Sequence, residues 1–217
     1  MSYIKVSYEV CSTPWHTKKM LQKLKQYDRL GFDTETQGVY TKAQRKEATK
    51  LLKEENVRPD HRKLALLVAN NSGLSFPSLV RVTHFIFGIS ESESVILITQ
   101  HPQEEFMIWN WIAEYKGLLL IHNTLFDLKL MYHRIGKFPE FYEDTQLLAK
   151  CLVNNADVWK AKVGLKDLMG SYYHPKWVLM EDYEPTNLKD PDFLDYAGID
   201  GGAVVKLYEN LEEHCNE

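Results

Sequence analysis

Arg29-Leu30-Gly31-Phe32-Asp33-Thr34-Glu35-Thr36 runs from an apolar start through a glycine into two acids. Leu30 and Phe32 give it the pattern of a strand, and residues two apart on a strand project to one face. Asp33 and Glu35 therefore stand side by side. Adjacent carboxylates repel unless a cation sits between them, and hard oxygen donors of this kind suit Mg2+ or Mn2+. A second stretch, Leu118-Leu119-Leu120-Ile121-His122-Asn123-Thr124-Leu125-Phe126-Asp127, reads as a buried strand ending at Asn123, with Asp127 in the helix that follows. In an open α/β sheet, sites form beyond the carboxyl ends of strands, where these residues fall. In the third, Tyr196-Ala197-Gly198-Ile199-Asp200, Tyr196 and Asp200 stand at i and i+4 on a helix opened by Asp190 and Pro191. An aspartate inside a helix, beside Gly198, Gly201 and Gly202, goes against propensity, as happens where something must approach closely. Each stretch alone has a plainer reading: solvent-facing acids, a first-turn acid favoured by the helix dipole, a capping asparagine, a surface Tyr–Asp pair.

Around these stretches, alternation marks strands over Tyr3–Val10, Arg29–Glu35, Val80–Ser90 and Ser94–Thr99, the last two joined as a hairpin. Thr13 or Ser12 caps a helix entered at Pro14, Pro102 opens another, and Thr124 to about Ile135 forms a third. Thr41 to Lys63 is helical by propensity and strongly charged. Lys160–Ser171 holds a short helix, Tyr172–Pro191 reads as loop, and Phe193–Glu213 is a final helix. Three strands followed by β-α alternation predict an α/β fold, a mixed sheet flanked by helices. No linker composition divides residues 1–217, so one domain is expected.

The 217 residues are 44% hydrophobic and 26% charged, which excludes disordered, collagen-like and low-complexity classes. No apolar run is long enough to span a membrane, and the N-terminus lacks a signal-peptide pattern. Cys11, Cys151 and Cys215 are odd in number and widely spaced, so neither a disulfide framework nor a cysteine zinc site is expected. A reducing cytoplasm is the expected compartment. The net charge of −4 divides unevenly. Residues 1–63 hold 14 Lys+Arg against 8 Asp+Glu, and residues 64–217 hold 12 against 22. That asymmetry fits one surface for polyanions and another for cations.

Taken in order, D-x-E on a strand, N-x-x-[FY]-D after a later strand and Y-x-x-x-D on a C-terminal helix resemble the three exonuclease motifs of the DEDD superfamily, tyrosine subclass. The likeness is to the proofreading domain of family-A DNA polymerases and to ribonuclease D, and it runs from about Thr17 to Glu213. Glu143-Asp144-Thr145 and Gly164-Leu165-Lys166-Asp167-Leu168 are supporting matches. A histidine-type member would carry His at position 195, which is Asp.

The resemblance implies a ribonuclease-H-like fold and two divalent cations, Mg2+ or Mn2+, roughly 3.5–4 Å apart. Asp33 would bridge them, Glu35 and Asp200 would complete the water-activating site, and Asp127 would hold the second ion. Glu35 and the Tyr196 hydroxyl would orient water, so no histidine base is needed and His122 is structural. Thr36 would contact the terminal 3′-hydroxyl, Val39 would wedge at the terminal bases, and Asn123 and Phe126 would line the cleft. The implied activity is 3′–5′ hydrolysis of single-stranded or frayed DNA to nucleoside 5′-monophosphates. Alternatives are an RNA 3′ exonuclease resembling ribonuclease D, or an inactive nucleic-acid-binding or replisome accessory module.

Two departures stand out. Residues 36–79 make a longer connection than proofreading domains use. Within it, 41–63 carries eight Lys+Arg against four acids, which suggests a basic flap gripping the phosphate backbone. The chain also stops just after the third motif, so it is expected to act alone or to dock on a separate polymerase or replisome protein. Ribonuclease D normally carries extra helical domains after this point, which favours DNA over RNA.

Overall fold

The computed structural model describes residues 3–38, 42–54, 57–69, 77–152, 162–180, 185 and 187–215. A mixed six-stranded sheet holds β1 (Ser7–Cys11), β2 (Arg29–Gly38), β3 (Val80–Ser90), β4 (Glu93–Ile98), β5 (Leu118–Ile121) and β6 (Tyr142–Asp144) in the order β1-β4-β3-β2-β5-β6. Only β3 runs against the others. All five parallel strands therefore end at the same edge of the sheet, the edge reached by Asp33 and Glu35.

On one face lie α1 (Pro14–Leu24), α4 (Pro102–Glu114) and α5 (Thr124–Ile135). Met20, Leu21, Leu24, Trp109, Ile112 and Leu130 from these helices close over Phe32, Phe85 and Phe87. Each such side chain removed from water contributes about 1.5–3 kcal/mol. The other face is covered by α7 (Leu165–Met169), α8 (Pro175–Leu179) and α9 (Pro191–Cys215), whose Met169, Trp177, Phe193 and Ala197 pack on Ile86, Ile96 and Ile98. The expected caps form: Thr13 accepts the His16 N–H, and Asp190 accepts those of Asp192 and Phe193. A further helix, α6 (Thr145–Leu152), follows β6.

Between β2 and β3 the chain forms two helices, α2 (Lys42–Leu51) and α3 (Pro59–Ala69), which pack on one another with Ala48 and Ala65 buried. The charged segment is thus a helical hairpin leaving the sheet at the edge reached by Asp33 and Glu35. Two expectations change. The stretch 172–191 is not all loop, because Pro175 starts α8 and the His174 ring caps it. The first strand begins at Ser7 rather than Tyr3, where pairing with β4 begins. Cys11 is buried and its thiol is pushed up to about 11 by that burial and by Glu9. Among the described residues no helix is long and apolar enough to cross a membrane.

Candidate active site

Asp33 and Glu35 lie on the face of β2 that meets α9. That meeting is unusually close. A Cβ on Gly31 would stand 2.6 Å from the Gly201 carbonyl oxygen, and one on Gly88 would overlap the same atom. Glycines on both sides let helix backbone rest on sheet backbone, and Asp200 is carried against Asp33 as a result. Carboxylate oxygens of Asp33, Glu35 and Asp200 all lie within 4.8 Å of one another. Just past Glu35 the register with β3 slips, leaving Thr83 as the extra residue, and its hydroxyl donates to the Glu35 carbonyl at 3.1 Å. A bulge at this point re-aims the strand end.

Asp127 approaches from the first turn of α5. Its buried carboxylate accepts the Thr34 hydroxyl at 2.5 Å, from the opposite face of β2. The start of α5 is fixed by Asp144 rather than by Asn123. Asn123 adopts a left-handed conformation (φ 67°) with no side-chain cap. The Asp144 carboxylate accepts the N–H groups of Asn123 and Thr124 and the Thr124 hydroxyl, the last at 2.7 Å. Burial opposes ionisation of Asp144, but these bonds outweigh it and hold the carboxyl below its usual range.

The acids crowd one another. Burial, then repulsion from Asp127, Asp200 and Glu35, pushes Asp33 well above the carboxylate range. Glu35 is raised to about 8, first by burial and then by Asp200. Asp127 reaches about 7 through burial, against the relief that Thr34 provides. Lys166 answers them: its Nζ donates to Asp200 Oδ1 at 3.0 Å, and the same oxygen accepts the Trp177 indole N–H at 3.0 Å. Burial disfavours the Lys166 ammonium, but Asp200, Asp33 and Glu35 outweigh it and raise its pKa. Tyr196 borders the same carboxylates, and burial together with Asp200, Glu35 and Asp33 keeps its hydroxyl protonated.

These groups surround one cleft of about 420 Å3, which Thr36, Asn123 and Phe126 also line. Of the residues anticipated from sequence, only Val39 lies outside the described part of the chain. Asp195 is engaged elsewhere, accepting the Tyr8 hydroxyl at 2.5 Å. His122 donates or accepts at Thr145 Oγ1, 3.0 Å away, and burial drops it to about 4, so it stays neutral. Sequence reasoning missed two residues. Lys166 was visible only inside a supporting motif, and Trp177 lay in the expected loop.

The fold has known counterparts. No family model matches the chain, and no curated protein matches it significantly. Among solved structures, NrnC of Brucella melitensis with bound Mg2+ superposes with a TM-score of 0.56 at 14% identity, over 98% of this chain and 83% of that one. RNase D of Trypanosoma brucei in complex with RNA U12 gives 0.60 at 14% identity, over 96% and 63%. Escherichia coli RNase D, an exoribonuclease involved in structured RNA processing, gives 0.56 at 11%, over 97% and 46%. The chain shares the ribonuclease-H-like fold of these structures. At such identities the likeness is one of fold, and the chemistry rests on the cleft itself.

Proposed function

We propose that the protein is a divalent-metal-dependent 3′–5′ exonuclease of the tyrosine subclass, releasing nucleoside 5′-monophosphates from single-stranded or frayed 3′ ends. The observation that carries this reading is the convergence of Asp33, Glu35 and Asp200 oxygens within 4.8 Å of one another, with Asp127 and Tyr196 lining the same cleft. All the donors are hard carboxylate oxygens, the set that suits Mg2+ or Mn2+. Asp33, Glu35 and Asp200 would hold one cation, with Asp33 shared toward a second held by Asp127. Such cations supply charge stabilisation at the attacking and leaving oxygens of phosphodiester displacement.

The protein's own groups do the rest. Tyr196, in the same cleft as Asp200, presents a protonated hydroxyl that orients water beside Glu35. Thr36 meets the terminal 3′-hydroxyl, Asn123 borders the sugar, and half-buried Phe126 offers an apolar ring to the terminal base. Stacking of this type accepts any base. The tyrosine assignment is supported by position 195, an aspartate already bound to Tyr8.

For the sugar, two readings stand. The sequence favoured DNA, with the domain docked on a separate polymerase or replisome protein. The RNA alternative is supported by the fold relatives, one of them in complex with RNA. Matched DNA and RNA oligonucleotides, 3′-labelled and digested side by side with Mg2+ and with Mn2+, separate the two. Label released as mononucleotide supports the exonuclease reading, and intact strands in every arm overturn it. Asp33→Ala should lower turnover at least about 1000-fold, since several kcal/mol of charge stabilisation depend on the cations it holds, while leaving strand binding in place. Equal turnover would instead identify a binding module.

A further inference from the structure

We propose that a groove between α1 and α4 binds the upstream part of the same single strand whose 3′ end enters the carboxylate cleft; the inference rests on the nuclease reading above. The groove has a volume of about 650 Å3 and is lined by Trp15, Phe106, Met107 and Trp111 with Lys18, Lys19 and Lys25 at its rim. Trp15 is 65% exposed and Phe106 55%, far more than core aromatics retain. Lys19 Nζ sits 5.4 Å from the Trp15 ring centroid, and the His16 ring lies 5.0 Å from the same ring. Helix α1 has no acidic residue, and the groove meets one, Glu114, at its far end. Exposed aromatic faces interleaved with lysines are what a sequence-tolerant single-strand site requires: rings for bases, ammonium groups for phosphates.

The sheet register connects groove and cleft. Glu35 pairs with His84, His84 with Ile98, and the neighbouring Leu97 with Cys11. The residue after Cys11 therefore lies three strands across from Glu35, about 14 Å at roughly 4.8 Å per strand. Trp15 stands in the first turn of α1 immediately beyond it, at the same edge of the sheet. Helices α5, α4 and α1 adjoin in that order on one face, α4 touching both of the others. All three present their N-termini to this edge, where the helix dipole favours phosphate. The two acids in the first turn of α4 do not oppose a strand. Glu105 is paired with Arg134 at 2.7 Å, and Glu104 accepts the backbone N–H groups of Gln100 and His101. A strand leaving the cleft past Phe126 thus crosses the start of α4 and reaches Phe106 and Trp15. At roughly 3.4 Å per stacked nucleotide the offset of about 14 Å across the sheet alone takes about four nucleotides, so trimers stop short of the groove and dodecamers reach it.

The test compares labelled trimers and dodecamers with a common 3′ end, made as DNA and as RNA. Binding is read by anisotropy in an Asp33→Ala background with Mg2+, and hydrolysis with Asp33 intact. Trp15→Ala with Phe106→Ala should weaken dodecamer binding about tenfold or more and leave trimer hydrolysis at its original rate. Lys18→Glu with Lys19→Glu should do the same more steeply at low salt. The arm in which the loss appears, DNA or RNA, identifies the strand. Unchanged dodecamer affinity in both double variants, with trimers still cleaved, overturns the groove and leaves the carboxylate site standing. Self-association abolished by Trp15→Ala with Phe106→Ala, at unchanged dodecamer affinity, overturns it in favour of a contact between copies. No cleavage of either length by the unaltered protein overturns the nuclease reading and the groove with it.

Discussion

Asp200 is the most heavily bonded acid of the cleft. Lys166 and Trp177 share its Oδ1, with Tyr196 lining the same cleft beside it. The Lys166 ammonium occupies the position of a counter-ion and competes with any incoming dication. Lys166→Met should therefore tighten Mn2+ binding by about tenfold on Coulombic grounds, measured calorimetrically, while lowering the melting temperature of the metal-free protein. A second expectation concerns pH. Glu35, held at about 8 against an ordinary 4.5, binds more protons folded than unfolded between those values. Its neutral form thus contributes stability that is complete below about pH 4.5 and is lost as pH rises through 8. The metal-free protein should melt at progressively lower temperature across that window, and Glu35→Gln should flatten the slope; an unchanged slope would contradict the assignment. That Asp33, Glu35, Asp127, Tyr196 and Asp200 would share one cleft was expected from the motif resemblance, while periodicity by itself placed Asp33 beside Glu35 and Tyr196 beside Asp200. Trp177 was not legible in the sequence, because its role depends on a contact across 23 residues that no local pattern announces.

At the scale of elements, the site is set by how closely α9 can approach β2 and β3. The glycines near Asp200 looked like local rule-breaking in the sequence, and the packing explains them. Gly201 lies over Gly31 and Gly88, and Ser94 Oγ donates to the Gly198 carbonyl at 2.7 Å. Gly88→Ala should cost about 3 kcal/mol through overpacking. It should also reduce turnover by lifting Asp200 and Tyr196 from Asp33, two effects read by thermal melting and by initial rates. The elements that sequence misplaced were the short ones. Helix α8 spans five residues, Pro175–Leu179, too few for periodicity to separate from loop. Its existence depends on Trp177 filling the core beside Tyr173. The role of Asp144 was equally hidden: a supporting match in sequence, it acts by holding the first turn of α5.

For the molecule as a whole, the basic N-terminal third and the acidic remainder resolve into two places. The acids include the cleft, and eight of the lysines and arginines fall in residues 41–63, on and between α2 and α3. If this hairpin grips phosphates, replacing residues 42–69 with a short Gly/Ser connection should weaken strand binding. The slope of log affinity against log salt should fall by about 2, the release expected for roughly three contacts on a single strand; fluorescence anisotropy from 50 to 300 mM salt, roughly the range over which such contacts fade, measures it. An unchanged slope would reduce the hairpin to a solubilising insertion. The way the hairpin is attached has its own consequence. Gly38 pairs with Val80, so the two points where the insertion leaves and rejoins the sheet are about 5 Å apart. A segment anchored on so narrow a base can be lengthened, traded or lost over evolutionary time without strain on the sheet that carries Asp33 and Glu35.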